Sequence, residues 1–176
     1  IAAKRLVRGN SGDVHRTVFG VFGVFSIVGA VVTAVVAGVA VFAVAIAGII
    51  VVGGGAAGIS ALSTLKKTPG TQAILLEKHP VIGGVWHTSN YPDLATHIKS
   101  YTYRFHDFRA PGCQSEYAQR DEVLRYFSDY VETNDLAEQI LTNIQARSIT
   151  CSEHTAVESE NSDGRRILFH CEFVVF

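Results

Sequence analysis

The sequence predicts an α/β chain centred on a parallel sheet, and three observations carry that expectation. Residues 48–52, "GIIVV", form a short β-branched run that breaks into "GGGAAG" and then a helical stretch, "ISALSTLKK". The segment "QAILLE" supplies a second strand with an acid at its end. Beyond a further amphipathic helix, strand-like segments alternate around the turn "NSDG". Runs of this length, apolar and β-branched, are what a strand buried on both faces of a parallel sheet requires.

At 176 residues the chain can bury the core of one domain, and is short for two. A formal net charge of -1 gives no footing for a nucleic-acid partner. Cys113, Cys151 and Cys171 are scattered, with neither a disulfide framework nor metal-ligand spacing, so packing is their expected role. The chain begins with Ile, contains no Met and stops in the strand-like "FHCEFVVF". It therefore reads as a fragment open at both ends.

Charge divides the chain unevenly. Residues 1–16 are polar and basic, whereas no charged residue or His lies between Arg16 and Lys66. Residues 17–48 form one apolar run, and a bilayer core takes about 20 apolar residues as helix. A membrane helix over residues 19–41 is the expectation, giving three segments: 1–16, a membrane segment 17–46 and a nucleotide-binding domain 47–176. Lys4, Arg5, Arg8 and Arg16 would hold the N-terminus in the cytoplasm and send the rest across, against the need for cytosolic nucleotides. The side of the membrane stays open. So does a second reading, because Val, Gly and Phe without Leu also suit strands, or a stretch translated by mistake. The domain is then cytoplasmic.

The glycine turn itself is Gly53-x-Gly55-x-x-Gly58. In a strand-turn-helix setting, Gly53 permits the tight turn. Gly55 lets backbone approach a pyrophosphate, and Gly58 lets helix and strand pack closely. Phosphates then meet free N–H groups at the positive end of the helix. Ile59, Leu62 and Leu65 recur at helical spacing, and Pro69-Gly70 stops the helix. Glu77 follows Gly58 by about 20 residues, where a carboxylate can accept both ribose hydroxyls. A glycine motif alone could equally be a membrane-helix packing seam or a plain turn. The strand before, the helix after, the breaker and the acid together select a dinucleotide site. The carboxylate disfavours a 2′-phosphate, leaving FAD or NAD(H).

Beyond Glu77 the chain reads "EKHPVIGGVWHTSNYPDLATHIKSYTYRFHDFRAPG". Glu77, then Gly83-Gly84-x-Trp86, Tyr91-Pro92 and "YRFHDFRAP" in this order resemble the flavin-dependent monooxygenases of class B. That family comprises N- and S-oxygenating enzymes and Baeyer–Villiger enzymes, and the resemblance runs from Ala47 to the C-terminus. It implies a Rossmann-like FAD-binding domain with a small antiparallel excursion, incomplete at its C-terminal end. The implied FAD contacts are Gly53, Gly55, Ala56, Ala57, Gly58, Glu77, Lys78, Gly84, Val85, Trp86, Thr96 and His97. His97 falls where relatives carry Asn or Asp near the flavin's reactive edge, and could hydrogen-bond a peroxyflavin there. Asp93 stands where the family has Gly after Tyr-Pro, which puts that turn in question.

The residues support this independently. Gly83 and Gly84 let backbone come close to a ligand. Trp86, the only Trp, offers a flat apolar face, although a core-filling role would use the same ring. His97 alone could also be an ordinary loop residue.

Residues 120–134 predict a helix with Val123, Phe127, Tyr130 and Val131 inward and Asp121 and Glu122 in its first turn. Three strand-like segments follow, with residues 161–164 as a hairpin turn. His154 and His170 have no metal spacing, and no metal is expected. The resemblance implies an enzyme using FAD, NADPH and O2 to oxygenate N, S or a ketone of a small molecule through a C4a-peroxyflavin, with its NADPH site outside this chain. Two rivals stay open: another two-dinucleotide FAD oxidoreductase, for which a Cys-x4-Cys pair is missing, and a non-catalytic membrane-anchored fragment. Oligomeric state cannot be read from the residues.

Overall fold

A computed structural model describes residues 7–8, 31–36, 39–45, 48–109, 115–151 and 155–176. The first strands are β1 (Val7–Arg8), β2 (Val31–Val36), β3 (Val39–Ala45) and β4 (Ile49–Val52). Helix α1 (Ala56–Lys66), β5 (Ala73–Leu76), the short α2 (Val85–Thr88) and α3 (Arg120–Thr133) follow. A 3-10 turn at Ala137–Gln139 leads into β6 (Ile140–Leu141), β7 (Ile144–Cys151), β8 (Thr155–Asn161), β9 (Arg166–Cys171) and β10 (Phe173–Val175).

Two sheets form. The first has the order β1-β10-β4-β5-β6, with β10, β4, β5 and β6 mutually parallel and β1 antiparallel at its edge. Strand order therefore runs outward from β4 through β5 to β6 and then returns to β4's other side at β10. The second sheet, β2-β3-β9-β8-β7, is antiparallel apart from the β3–β9 pair. The turn at Asn161 joins β8 to β9, with Gly164 at φ +75 and its N–H donating to the Asn161 carbonyl at 3.0 Å.

Alternation along the parallel strands builds three layers. Val51 and Leu75 face α1 and α3, where Ile59, Leu62, Val123, Phe127, Tyr130 and Leu136 complete one core. Their neighbours Ile50 and Leu76 face the other way, onto Val157, Phe169 and Cys171 of the second sheet. A period of two thus gives both faces of one strand a partner. Each of these large side chains contributes about 1.5–3 kcal/mol on burial. The expected face of α3 is correct except that Tyr126 is buried as well and Val131 is only partly so.

The expected membrane helix is corrected where the structure describes it. Val31–Val36 and Val39–Ala45 are paired strands, Val36 lying opposite Val39 and Val31 opposite Val44. Strand β3 then adds to the edge of β9, Phe42 opposite Ile167. Among the described residues no helix is long and apolar enough to cross a membrane. The physical reason is side-chain stiffness: valines that lose χ1 freedom in a helix fit a pleated surface, and β9 offers an edge for the backbone to pair with. The remainder of that expected helix, like Cys113 and His154, lies outside the described residues.

Candidate functional site

The glycine turn lies where the strand order reverses, at the carboxyl end of β4, which is where open α/β sheets present their crevice. Gly53 takes φ +100, and a Cβ there would meet nothing within 4 Å, so the space before the turn is open. Its N–H donates to the Leu76 carbonyl at 2.9 Å, tying the turn to β5. Helix α1 opens at Gly55 with no side-chain cap and no acid in its first turn. The first N–H groups of a helix have no partner within it, so this end is prepared for an anion. A Cβ on Gly58 would run into the Gly53 carbonyl oxygen, which accounts for the third glycine.

Glu77 is buried at the tip of β5, 4% exposed, and binds the structure together. Its Oε2 accepts the Gly54 N–H at 2.6 Å and its Oε1 accepts the His79 N–H at 2.8 Å. Each oxygen keeps a further lone pair for a hydroxyl donor. Gly54 is a site residue that the spacing motif missed, since it occupies an unspecified position. The signal was present in three successive glycines, and a Cβ on Gly54 would lie 2.9 Å from Glu77 Oε2.

The Gly83-Gly84-x-Trp86 element closes on this turn from outside. The Gly83 N–H donates to the Gly54 carbonyl at 2.9 Å. Gly84 has φ 56 and ψ -129, and a Cβ on it would lie 2.9 Å from Gly55 Cα. Two backbones therefore touch where side chains would separate them. Trp86, in α2, is half-buried against the helix-side core and donates its indole N–H to the Tyr103 hydroxyl at 2.6 Å. Of the two roles weighed for it, packing is the one the contacts describe. Tyr103 was assigned no role from sequence, and nothing in its spacing could have given one.

The structure brings Glu77 and Gly84 onto the turn that Gly53, Gly55, Ala56, Ala57 and Gly58 form, while Trp86, two residues past Gly84, directs its indole N–H to Tyr103. Lys78 and Val85 are exposed beside them, Val85 at 72%. Thr96 is buried next to the bridge from Ala95 to Gln119. Its hydroxyl donates to the Ile98 carbonyl at 2.8 Å and accepts the Ala118 N–H at 3.0 Å, which uses its one proton within the protein. His97 is exposed, and among the described residues no hydrogen bond joins it to the glycine turn. Asp93 takes φ 59, so the turn after Tyr91-Pro92 keeps the left-handed backbone that a glycine would favour. No group of three or more metal-ligating side chains exists among the described residues.

A reversing parallel sheet, a glycine turn into an uncapped helix and a buried acid on the next strand define a dinucleotide-binding unit of Rossmann type. Residues 51–127 match the family of NAD(P)-binding Rossmann-like domains. The chain's relatives are flavin-dependent monooxygenases. It is 29% identical over 98 residues to the FAD-binding monooxygenase ktnD of Aspergillus niger, covering 55% of this chain and 16% of that protein. It is 24% identical over 109 residues to a Baeyer-Villiger monooxygenase of Pseudomonas aeruginosa, covering 62% of this chain and 21% of the relative. Cyclohexanone monooxygenase from Rhodococcus sp. Phi1, solved with NADP+, superposes with a TM-score of 0.65 at 23% identity. That match covers 72% of this chain and 24% of the enzyme. At this identity the superposition shows the fold.

Proposed function

We propose that this chain is the FAD-binding part of an NADPH- and O2-dependent flavin monooxygenase that oxygenates a soft nucleophile or a ketone of a small molecule. The observation that carries this is the joint closure of two segments on one turn: Glu77 on Gly54, and Gly83-Gly84 on Gly54 and Gly55. The residues fit the group. The uncapped N–H groups of α1 would take the pyrophosphate, Glu77 the adenosine ribose, and Gly84 and Trp86 would let the cofactor lie close to backbone beside an aromatic wall. FAD supplies the redox and oxygen chemistry when bound. The chain's share is binding, orientation and exclusion of water. By resemblance His97 takes the hydrogen bond at the ring edge, and NADPH binds outside this chain.

The test is direct. The purified chain should turn yellow with FAD and melt higher in its presence. At a hundredfold excess over Kd, ligand stabilisation of about 2.7 kcal/mol corresponds to roughly 5–10 °C. Glu77→Gln should lose most of that rise. No colour and no shift for the native chain would remove the reading.

A further inference from the structure

Tyr103 belongs to none of the elements that make the glycine turn, yet its hydroxyl is where the only Trp ends. The two rings stand edge to face, with centroids 5.7 Å apart and planes at 74°. An indole N–H has no acceptor character, so its one hydrogen bond sets the direction of the ring. Trp86 follows Gly84 by two residues, and Gly84 is pressed on Gly55. The glycine contact therefore places the backbone that carries Trp86, and Tyr103 holds the ring itself.

The segment that carries Tyr103 is itself held from behind. The Tyr126 hydroxyl accepts the Phe105 N–H at 2.6 Å and donates to the Phe108 carbonyl at 3.1 Å. Phe105 stacks on Tyr130 with centroids 4.0 Å apart. Asp107 accepts from Tyr130 at 3.2 Å and pairs with Lys67 at 2.6 Å, just past the far end of α1. One segment thus links Lys67, just past α1, and Tyr126 and Tyr130 of α3 to the indole of Trp86. Tyr103 is its only described hydrogen bond to α2.

We infer that Tyr103 is a positioning residue that fixes the Trp86 ring two residues past the contact of Gly84 with Gly55, and that affinity for FAD depends on it. The inference rests on the proposed FAD reading and deepens it. With the hydroxyl removed, the indole N–H loses its acceptor and packing alone sets the direction of the ring.

The experiment uses the full chain, 15N-labelled, with Tyr103→Phe and, as a matched control, Tyr101→Phe at an exposed tyrosine. Because the chain has one Trp, one indole N–H resonance reports Trp86 alone. In Tyr103→Phe that resonance should move upfield and exchange faster with solvent, with the melting temperature close to native. The Kd for FAD, read by quenching of flavin fluorescence, should rise about fivefold, as expected for one neutral hydrogen bond. Tyr101→Phe should change neither. An unmoved indole resonance in Tyr103→Phe overturns the hydrogen bond, and a moved resonance with native FAD affinity overturns the coupling. If the native chain, with its indole resonance in the bonded position, fails to bind FAD, the proposed function falls. The indole measurement still separates that failure from the loss of the Tyr103 contact.

Discussion

Replacing Gly84 by Ala is the sharpest probe of the closure between the two glycine segments. The backbone at Gly84, φ 56 and ψ -129, is a region that residues with a Cβ avoid, at a cost of about 2 kcal/mol. The added methyl would also sit 2.9 Å from Gly55 Cα, which is backbone in a tight turn and cannot swing aside as a side chain could. Overpacking of this kind adds about 1 kcal/mol or more. Together the loss is about 3 kcal/mol, or roughly 6–12 °C in melting temperature for a chain of this size. Gly70→Ala separates the two contributions. Gly70 has φ +77 and open space around it, so strain alone should cost about 1 kcal/mol, roughly 2–4 °C. The assay is thermal unfolding by circular dichroism, followed by FAD titration of each variant. Gly84→Ala should also weaken FAD binding more than tenfold, while Gly70→Ala leaves it unchanged. Equal melting losses in the two variants, or native FAD affinity in Gly84→Ala, would refute the close approach as the organising contact.

Three further expectations concern the frame around the site. Asp93, at φ 59, pays for a left-handed backbone, so Asp93→Gly should be neutral to stabilising by up to about 1 kcal/mol, whereas Asp93→Val should destabilise by more; melting temperatures decide it. Burial pushes the Cys171 thiol up to about 12, so maleimide at pH 8 should label exposed Cys151 in the folded chain and reach Cys171 only in denaturant, as read by peptide mass spectrometry. Stability against urea should fall on both sides of neutrality. The hydrogen bond from Lys67 holds the Asp107 carboxyl below the ordinary range. Its contribution is complete above about pH 4 and is lost as pH drops through the lowered value. Lys67 is raised by the same bond, and Tyr126 and Tyr130 are raised by burial, so their contributions hold below about pH 10 and are lost as pH climbs through the raised values. Asp107→Asn should flatten the acid limb of the urea midpoint, and an unchanged limb would assign the acid loss elsewhere.

How much of the site was legible beforehand depended on whether a contact is local. Gly53, Gly55 and Gly58 announce themselves because a turn into a helix constrains its own few residues, and the backbone at Gly53 and the close packing at Gly58 are what the spacing requires. Glu77 was legible in position, since its distance from the turn is one helix plus one strand. Its bond to Gly54 was not, because it depends on how β4 and β5 align, Val52 beside Leu76. Thr96 is bonded across the chain in the same way. Its hydroxyl bonds the Ile98 carbonyl and the Ala118 N–H, partners that no motif around Thr96 names.

By itself, then, the sequence determined the βαβ unit, the glycine turn, the acid and the antiparallel excursion before β10. Helical hydrogen bonds close within four residues, and a parallel strand buried on both faces must be apolar throughout, so both leave a local record. Only the tertiary structure decided that residues 31–45 pair as strands, that Glu77 closes on Gly54 and that Trp86 ends on Tyr103. A strand's hydrogen bonds belong to its partner: Phe42 meets Ile167, far along the chain, and no periodicity in the apolar run names that edge. The apolar composition was the same for a membrane helix and for a hairpin. What separated them was a sheet edge, made by residues more than a hundred positions later, on which the valines could be paired.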